Sequence, residues 1–132
     1  MTQTQRGLAV WLAIIAAETL HGIARGIVLV PSVGDFRARQ IGVFVGAAII
    51  LTIAAASIRW IRPASAGDAL GLGAVWLVLT LAFEILFGRC VAHASWSRIL
   101  SDYDLPHGGL LPIGLVVLAT APLAAAKFRR VL

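Results

Sequence analysis

Four long apolar runs divide the chain, and each is long enough to cross a lipid bilayer as a helix. They cover residues 7–30, 41–61, 69–92 and 109–128. A hydrocarbon core of about 30 Å requires about 20 residues of α-helix, and none of the runs alternates with the period of two that strands show. The pattern therefore predicts an all-α membrane protein, a bundle of four transmembrane helices forming a single integral membrane domain over residues 1–132.

Several residues with strong local preferences mark the predicted helices. Pro31 is expected to end the first helix, and Asp68 is expected to cap the start of the third. Pro122 lies inside the fourth helix and is expected to kink it. Gly42 and Gly46 form a GxxxG pattern in the second helix, which predicts a close approach to a neighbouring helix in lipid.

A shorter amphipathic segment, residues 95–105 approximately, separates the third run from the fourth. Trp96, Ile99, Leu100 and Tyr103 recur at the spacing i, i+3, i+4, i+7, while polar residues take the other side. This spacing predicts a short helix that lies in the membrane interface and connects the two transmembrane helices.

The two halves of the sequence resemble each other. Residues 9–22 read AVWLAIIAAETLHG and residues 74–88 read AVWLVLTLAFEILFG, so that one inserted residue aligns them. Residues 41–59 align with residues 113–129 by a similar pattern of small residues followed by arginine. Because the first and third helices run in the same direction, the pattern predicts two parallel two-helix hairpin repeats.

Composition and charge agree with a membrane location. Of the 132 residues, 60% are hydrophobic and 13% are charged, about half the charged fraction of a soluble domain. The net charge of +5 lies at the ends of the apolar runs, so we expect the bilayer and not nucleic acid as partner. The positive-inside rule then predicts a plasma (inner) membrane protein with both termini cytoplasmic, on the side that carries Arg6, Arg59, Arg62, Lys127, Arg129 and Arg130.

Three ionisable residues, Glu18, His21 and Arg25, interrupt the first apolar run and share one helix face. At 1.5 Å per residue, His21 and Glu84 lie at nearly the same depth, roughly 21 and 22 Å from the inner ends of their helices. Charges inside a bilayer are costly unless they are paired or hydrated. We therefore predict that this face points into the bundle and that Glu84 pairs with Arg25 and His21. Arg89 is a further candidate near the outer end of the third helix, rotated off this face.

Two interpretations of this polar cluster stay open. In the first, it forms a pocket toward the outer face, where Arg25 and His21 bind an anionic or hydrogen-bonding group and Glu18 and Glu84 carry protons. In the second, it is an ionic clip that fixes the register of the helices. The first interpretation predicts an accessory, ligand-binding or partner-binding membrane protein, and its alternative is a proton-coupled or small-solute transport element acting as an oligomer. A homodimer and a subunit of a membrane complex are both compatible assemblies.

No catalytic residue and no cofactor follow from the sequence. The chain has no nucleotide-binding, esterase or metalloprotease motif, so an enzyme is the less favoured class. Glu18 and His21 have the i, i+3 spacing of di-iron bundles, but Phe87 occupies the corresponding position after Glu84. We therefore predict no metal site, with His21, His93 and His107 as weak candidates only.

Overall fold

The structure, a computed structural model that describes residues 1–132, contains only helices and their connections. Four helices are long and apolar enough to cross a membrane, which confirms the predicted all-α fold with four long helices. In chain order the helices are α1 (Gln3–Val33), α2 (Asp35–Ile61), α3 (Ala66–Cys90), the short α4 (Trp96–Ser101) and α5 (Leu111–Phe128). A single 3₁₀ turn, Leu105–His107, precedes α5.

The first helix continues past Pro31, so the prediction that this proline ends it is wrong. Helix α1 is α-helical as far as Ala24, widens into a π-helical turn over Arg25–Leu29, and closes with one further α-helical turn. A proline ring clashes with the preceding turn of a regular α-helix, and the wider π turn gives it room. The helix instead ends before Gly34, whose φ of 88° favours glycine.

Gly34 alone connects α1 to α2, so α2 begins at Asp35, six residues before the predicted start. Helix α3 also begins earlier than expected, because the N-cap is Ser65 and not Asp68. The Ser65 hydroxyl accepts a hydrogen bond from the Asp68 backbone N–H at 3.1 Å, which places Asp68 in the first helical turn. Helix α3 ends at Cys90, while α5 begins at Leu111, two residues after the predicted start.

The four long helices form a ring in the order α1, α2, α5, α3, since α2 packs against α1 and α5 while α3 packs against α5 and α1. Buried apolar side chains fill the half of this ring that lies near the chain termini. Trp76 is fully buried there and its indole N–H donates to the Gly7 carbonyl at 3.0 Å. Gly73 lies directly against the backbone of Ala119, so α3 and α5 approach each other closely.

Both chain termini lie at one end of the bundle, which we call the basic end. Arg6 donates to the Trp60 carbonyl at 3.1 Å, and Arg129 donates to the Ala55 carbonyl at 2.9 Å. These contacts bring the start of α1 and the end of α5 to the end of α2. The opposite end, which we call the loop end, holds Gly34 and residues 91–110. The basic end carries the cations Arg6, Arg59, Arg62, Lys127, Arg129 and Arg130.

The amphipathic connector is shorter than residues 95–105, since helix α4 covers only Trp96–Ser101. Of the apolar residues in the predicted stripe, Ile99 is buried and packs near Gly88. Trp96 and Leu100 are 51% and 60% exposed. Helix α4 therefore closes the bundle with one apolar side chain and leaves two others free at the surface of the loop end.

Candidate functional site

A cavity of about 440 Å³ occupies the half of the bundle near the loop end. All four long helices line it, and the buried side chains of Ile14 and Leu118 form its floor on the side of the basic end. Its walls combine apolar and aromatic residues with a group of ionisable side chains. That group comprises Glu18, His21, Arg25, Arg39, Glu84, Arg98, Asp102 and Tyr103.

The two glycines of α2 make space for the polar face of α1. A Cβ atom added to Gly46 would lie 2.8 Å from Oε2 of Glu18, and one added to Gly42 would lie 3.0 Å from Cδ of Arg25. The same Gly42 position is 3.6 Å from Cε1 of His21. The GxxxG pattern thus accommodates three polar side chains of α1. The close helix-to-helix approach that such a pattern predicts occurs at Gly73 of α3 instead, against the backbone of Ala119.

Four of the ionisable side chains, which we call the inner group, come from α1 and α3: Glu18, His21, Arg25 and Glu84. Within this inner group the structure contains one weak pairing. Nδ1 of His21 lies 3.7 Å from Oε2 of Glu18, while Oε1 of Glu18 is buried and has no hydrogen-bond partner. Arg25 and Glu84 both line the cavity but take no part in any of the five ion pairs of the chain. The direct ion pairs expected for Glu84 with Arg25 and His21 are therefore not formed.

A network of ion pairs at the loop end, which we call the loop latch, lies at the other side of the cavity. Arg39 contacts Asp102 and also approaches Asp35, with its Nε 3.2 Å from Oδ2. Arg98 donates to both carboxylate oxygens of Asp35, at 3.0 and 3.2 Å. Gln40 adds a hydrogen bond to a backbone carbonyl of the loop. The loop latch therefore ties residues 98–108 to the first turns of α2.

Sequence reasoning missed the loop latch as part of the site. Asp35 and Arg39 have the i, i+4 spacing of a helical ion pair, which was an available signal. The second partner of Arg39 is Asp102, which is 63 residues away in the chain, and no local pattern connects the two positions. The loop latch contains two arginines and two aspartates, so its positive and negative charges are equal in number. Its ion pairs include no residue of the inner group.

Tyr103 contributes a neutral polar group to the cavity from the loop. Burial raises the pKa of its phenol to about 12, and the negative charges of Glu84 and Asp102 add to the effect. A neutral phenol is favoured beside two carboxylates because ionisation would add a third negative charge. Tyr103 therefore keeps its proton at physiological pH and can act as a hydrogen-bond donor.

Arg89 and the two loop histidines lie outside the cavity. Arg89 donates to the Ala94 carbonyl at 3.0 Å, and its guanidinium stands 4.8 Å from the centre of the Trp96 ring. His93 is exposed, and His107 binds Asp104 at 2.9 Å, which raises the pKa of the imidazole through that hydrogen bond. The three weak metal candidates are not brought together, and no cluster of three or more His, Cys, Asp or Glu could hold a metal ion.

The inner group provides both acceptors and donors of hydrogen bonds in an otherwise apolar space. Glu18 and Glu84 supply carboxylates, and Arg25 supplies a guanidinium. Phe83 and Phe87, whose stacked rings have centroids 5.5 Å apart, add an aromatic wall. Such a lining is typical of sites that enclose a small molecule and orient it by a few charged groups.

Comparisons with known proteins give no match: no protein-family model, no curated protein and no solved structure is similar to this chain.

Proposed function

We propose that this chain is an integral membrane protein that binds a small zwitterionic ligand in the cavity between its four long helices. The observation that carries the proposal is the presence in one cavity of acidic and basic side chains whose hydrogen-bonding capacity the protein itself leaves partly unused. Oε1 of Glu18 is buried without a hydrogen-bond partner, and Glu84 and Arg25 line the cavity without forming an ion pair. The two carboxylates can therefore accept from a donor or a cation, and Arg25 can donate to an anion. A ligand with one ammonium-type group and one carboxylate-type or phosphate-type group makes both kinds of contact.

An ionic clip explains the same residues less well. A clip stabilises a bundle by direct contact between opposite charges, because only close and well-oriented pairs offset the cost of removing ions from water. Arg25 and Glu84 make no such contact, and one oxygen of Glu18 is buried without a partner. Unpaired ionisable groups in a membrane-spanning segment are costly, and a binding site is the usual reason for them.

The size of the cavity agrees with a small ligand. Its volume of about 440 Å³ lies in the lower part of the range of about 300–1,000 Å³ that small-molecule sites occupy. The apolar floor and the aromatic pair Phe83 and Phe87 suit the uncharged part of the ligand. The loop latch lies at the loop end of the cavity, so opening of its ion pairs would regulate the entry of the ligand.

We further propose that the basic end faces the cytoplasm, so that both termini are cytoplasmic and the cavity lies toward the outer side of the inner membrane. The basic end carries six cations and one acid, Asp68, while the loop end carries nearly equal numbers of each. We also propose two parallel hairpin repeats, α1 with α2 and α3 with α5. Within each proposed hairpin the two helices pack against each other, since α1 contacts α2 and α3 contacts α5.

Proton-coupled transport is the second candidate function, and the pair of cavity carboxylates favours it. Glu18 and Glu84 come from different helices and line the same space, so one proton or one cation can exchange between them. Transport also requires access from the basic end, where Ile14, Trp76 and Leu118 close the bundle. An oligomer that moves these helices would have to provide that access.

The binding proposal is tested by gentle detergent extraction followed by native mass spectrometry. We expect the wild type to retain a small zwitterion, or to gain thermal stability with amino acids, betaines or phosphoethanolamine. Glu84→Gln and Arg25→Gln are expected to weaken binding about tenfold or more, the effect of losing about 1.4 kcal/mol of charged hydrogen bonding. Asp68→Asn and Arg37→Gln are the matched controls, since both residues are exposed and make no ion pair.

The outcomes separate the candidate functions. Equal ligand retention in the cavity variants and the controls would contradict a binding role for the inner group. Retention of another membrane protein in place of a small molecule would favour an accessory role in a complex. Proteoliposomes that collapse a pH gradient only in the presence of the retained ligand would favour transport, and Glu18→Gln is expected to remove that coupling.

A further inference from the structure

A second pocket lies at the basic end, between the last turn of α2 and the last turn of α5. Four arginines and one valine line it: Arg59, Arg62, Arg129, Arg130 and Val131. The cavity of the inner group and this pocket are separated by the apolar half of the bundle, so the two sites are independent of each other. The pocket has no role in the function proposed above.

Backbone contacts hold three of the four arginine side chains. Arg129 donates to the Ala55 carbonyl at 2.9 Å, Arg62 donates to the Arg59 carbonyl at 3.2 Å, and Arg59 donates to the Arg129 carbonyl at 3.4 Å. Each guanidinium has five N–H donors, so most donors remain available after these bonds form. Arg130 makes no side-chain hydrogen bond.

Cations at helix C-termini are common, and the helix dipoles account for part of this cluster. Each C-terminus carries the equivalent of about half a negative charge, so the ends of α2 and α5 together offset about one arginine. None of the four arginines forms an ion pair with a carboxylate, and Asp68 is the only acidic side chain at this end. About three positive charges therefore remain without a partner in the protein.

The local backbone brings these arginines together. Arg62 and Arg130 directly follow the end regions of α2 and α5 and both have positive φ, 53° and 57°. Left-handed backbone is uncommon for residues other than glycine, and both residues that adopt it here line the pocket. Trp60 and Phe128 lie next to the pocket and are 46% and 80% exposed, as aromatic residues at a membrane interface are.

We propose that the arginine pocket binds a phosphate group at the cytoplasmic surface of the membrane. Guanidinium groups match phosphate oxygens by paired hydrogen bonds, and several of them converge here on one opening. Exposed aromatic residues such as the two beside the pocket are typical of the membrane interface, so the headgroup of an anionic phospholipid is one source of the phosphate. A soluble diphosphate that reaches the same surface is the other.

The test uses the whole chain of residues 1–132 in non-ionic detergent micelles and compares two double variants. Arg62→Gln with Arg130→Gln removes two charges and one side-chain bond to a backbone carbonyl. The control is Arg37→Gln with Arg89→Gln at the loop end. It also removes two positive charges and one side-chain hydrogen bond to a backbone carbonyl. Circular dichroism and thermal unfolding establish that both double variants are folded.

One arm titrates phosphatidylglycerol against phosphatidylcholine, and the other titrates inorganic pyrophosphate, with thermal stability and native mass spectrometry as readouts. We expect each arginine removed from the pocket to weaken phosphate binding about fivefold, hence about 25-fold for the double variant. The control is expected to stay within about twofold of wild type, and added salt is expected to weaken binding in all proteins.

Each result decides the proposal. Selective loss of phosphatidylglycerol binding supports a lipid headgroup site, and selective loss of pyrophosphate binding supports a soluble ligand. Equal weakening in the pocket variant and the control would overturn the proposal, since the effect would then reflect net charge alone. Phosphatidylglycerol binding that the pocket variant leaves unchanged, together with no pyrophosphate binding, would also overturn it, whatever ligand the cavity takes.

Discussion

Gly46 of α2 lies directly against the carboxylate of Glu18 on α1, so that a Cβ atom at position 46 would come within 2.8 Å of Oε2. The absence of a side chain at Gly46 thus leaves the space that the Glu18 carboxylate occupies. Without that space the carboxylate could not lie between the two helices. The relationship links the small-residue pattern of α2 to the ligand chemistry proposed for the cavity.

The first prediction concerns Gly46→Ala. The added methyl group meets the flexible end of the Glu18 side chain and not the backbone of α1, so the carboxylate is expected to move while the bundle stays folded. We expect ligand binding to fall about tenfold, as for the loss of one charged hydrogen bond. Ligand titration and thermal unfolding of the same preparation measure the two effects separately.

Two other glycines provide the controls for Gly46→Ala. Gly71 is exposed and has no atom within 4 Å of its added Cβ, so Gly71→Ala is expected to leave binding unchanged. Gly73 lies against the backbone of Ala119, where no flexible group can yield, and Gly73→Ala is expected to destabilise the fold by about 1–3 kcal/mol or more. A Gly46→Ala variant that unfolds as Gly73→Ala does would contradict the distinction drawn here.

The sequence predicted the number and character of the long helices well, because apolar length is a strong local signal. It also predicted that Glu18, His21, Arg25 and Glu84 share a region, since helical periodicity and depth can be calculated from spacing. The predicted direct pairing of Glu84 with Arg25 and His21 was wrong, because the structure forms no such ion pair. Whether two inward side chains touch depends on the distance between their helices, which no spacing along the chain reports.

Helix boundaries and long-range contacts depend on information outside the local pattern. Pro31 is a strong signal for a helix end, but a π-helical turn before it allows α1 to continue. Arg39 and Asp102 come together only because the loop folds back on α2, so their contact was not accessible to sequence reasoning. The GxxxG of α2 predicted close packing, whereas its glycines accommodate polar side chains.

The second prediction concerns Arg39→Gln, which removes the central cation of the loop latch. Asp102 and Asp35 each lose a partner, and the Arg39 side chain is only 13% exposed, so the loss is expected to cost about 1–2 kcal/mol. Hydrogen exchange of residues 96–101 is expected to become faster than in wild type. Arg37→Gln, which removes an exposed and unpaired charge two residues away, is expected to leave exchange unchanged.

A further result would contradict the role given to the loop latch. If Arg39→Gln alters the exchange of all helices equally, the residue stabilises the whole bundle and does not specifically hold the loop. Ligand binding provides an independent measure, since a looser loop is expected to increase the dissociation rate of the ligand more than it decreases the association rate.

The third prediction concerns topology. The structure places both termini at the basic end, and the excess of arginine and lysine there predicts that this end is cytoplasmic. Reporter fusions after Leu132 are expected to be active in the cytoplasm, and fusions within residues 95–104 are expected to be active outside. A reporter at the C-terminus that is active only outside would invert the orientation and place the cavity toward the cytoplasm.

The last prediction concerns the pH dependence of Tyr103, which is the only tyrosine of the chain. Burial and the charges of Glu84 and Asp102 raise its pKa from 10.0 to about 12, so below pH 10 the phenol is neutral in both the folded and the unfolded protein. Between pH 10 and 12 the unfolded chain loses this proton while the folded chain retains it, and the free energy of unfolding therefore decreases as pH rises through that interval. Tyrosinate absorbance near 295 nm is expected to show a midpoint near 12 in the folded protein and near 10 in denaturant. Tyr103→Phe is expected to remove this part of the pH dependence of stability, and a folded-state midpoint near 10 would show that the phenol does not lie beside the cavity carboxylates.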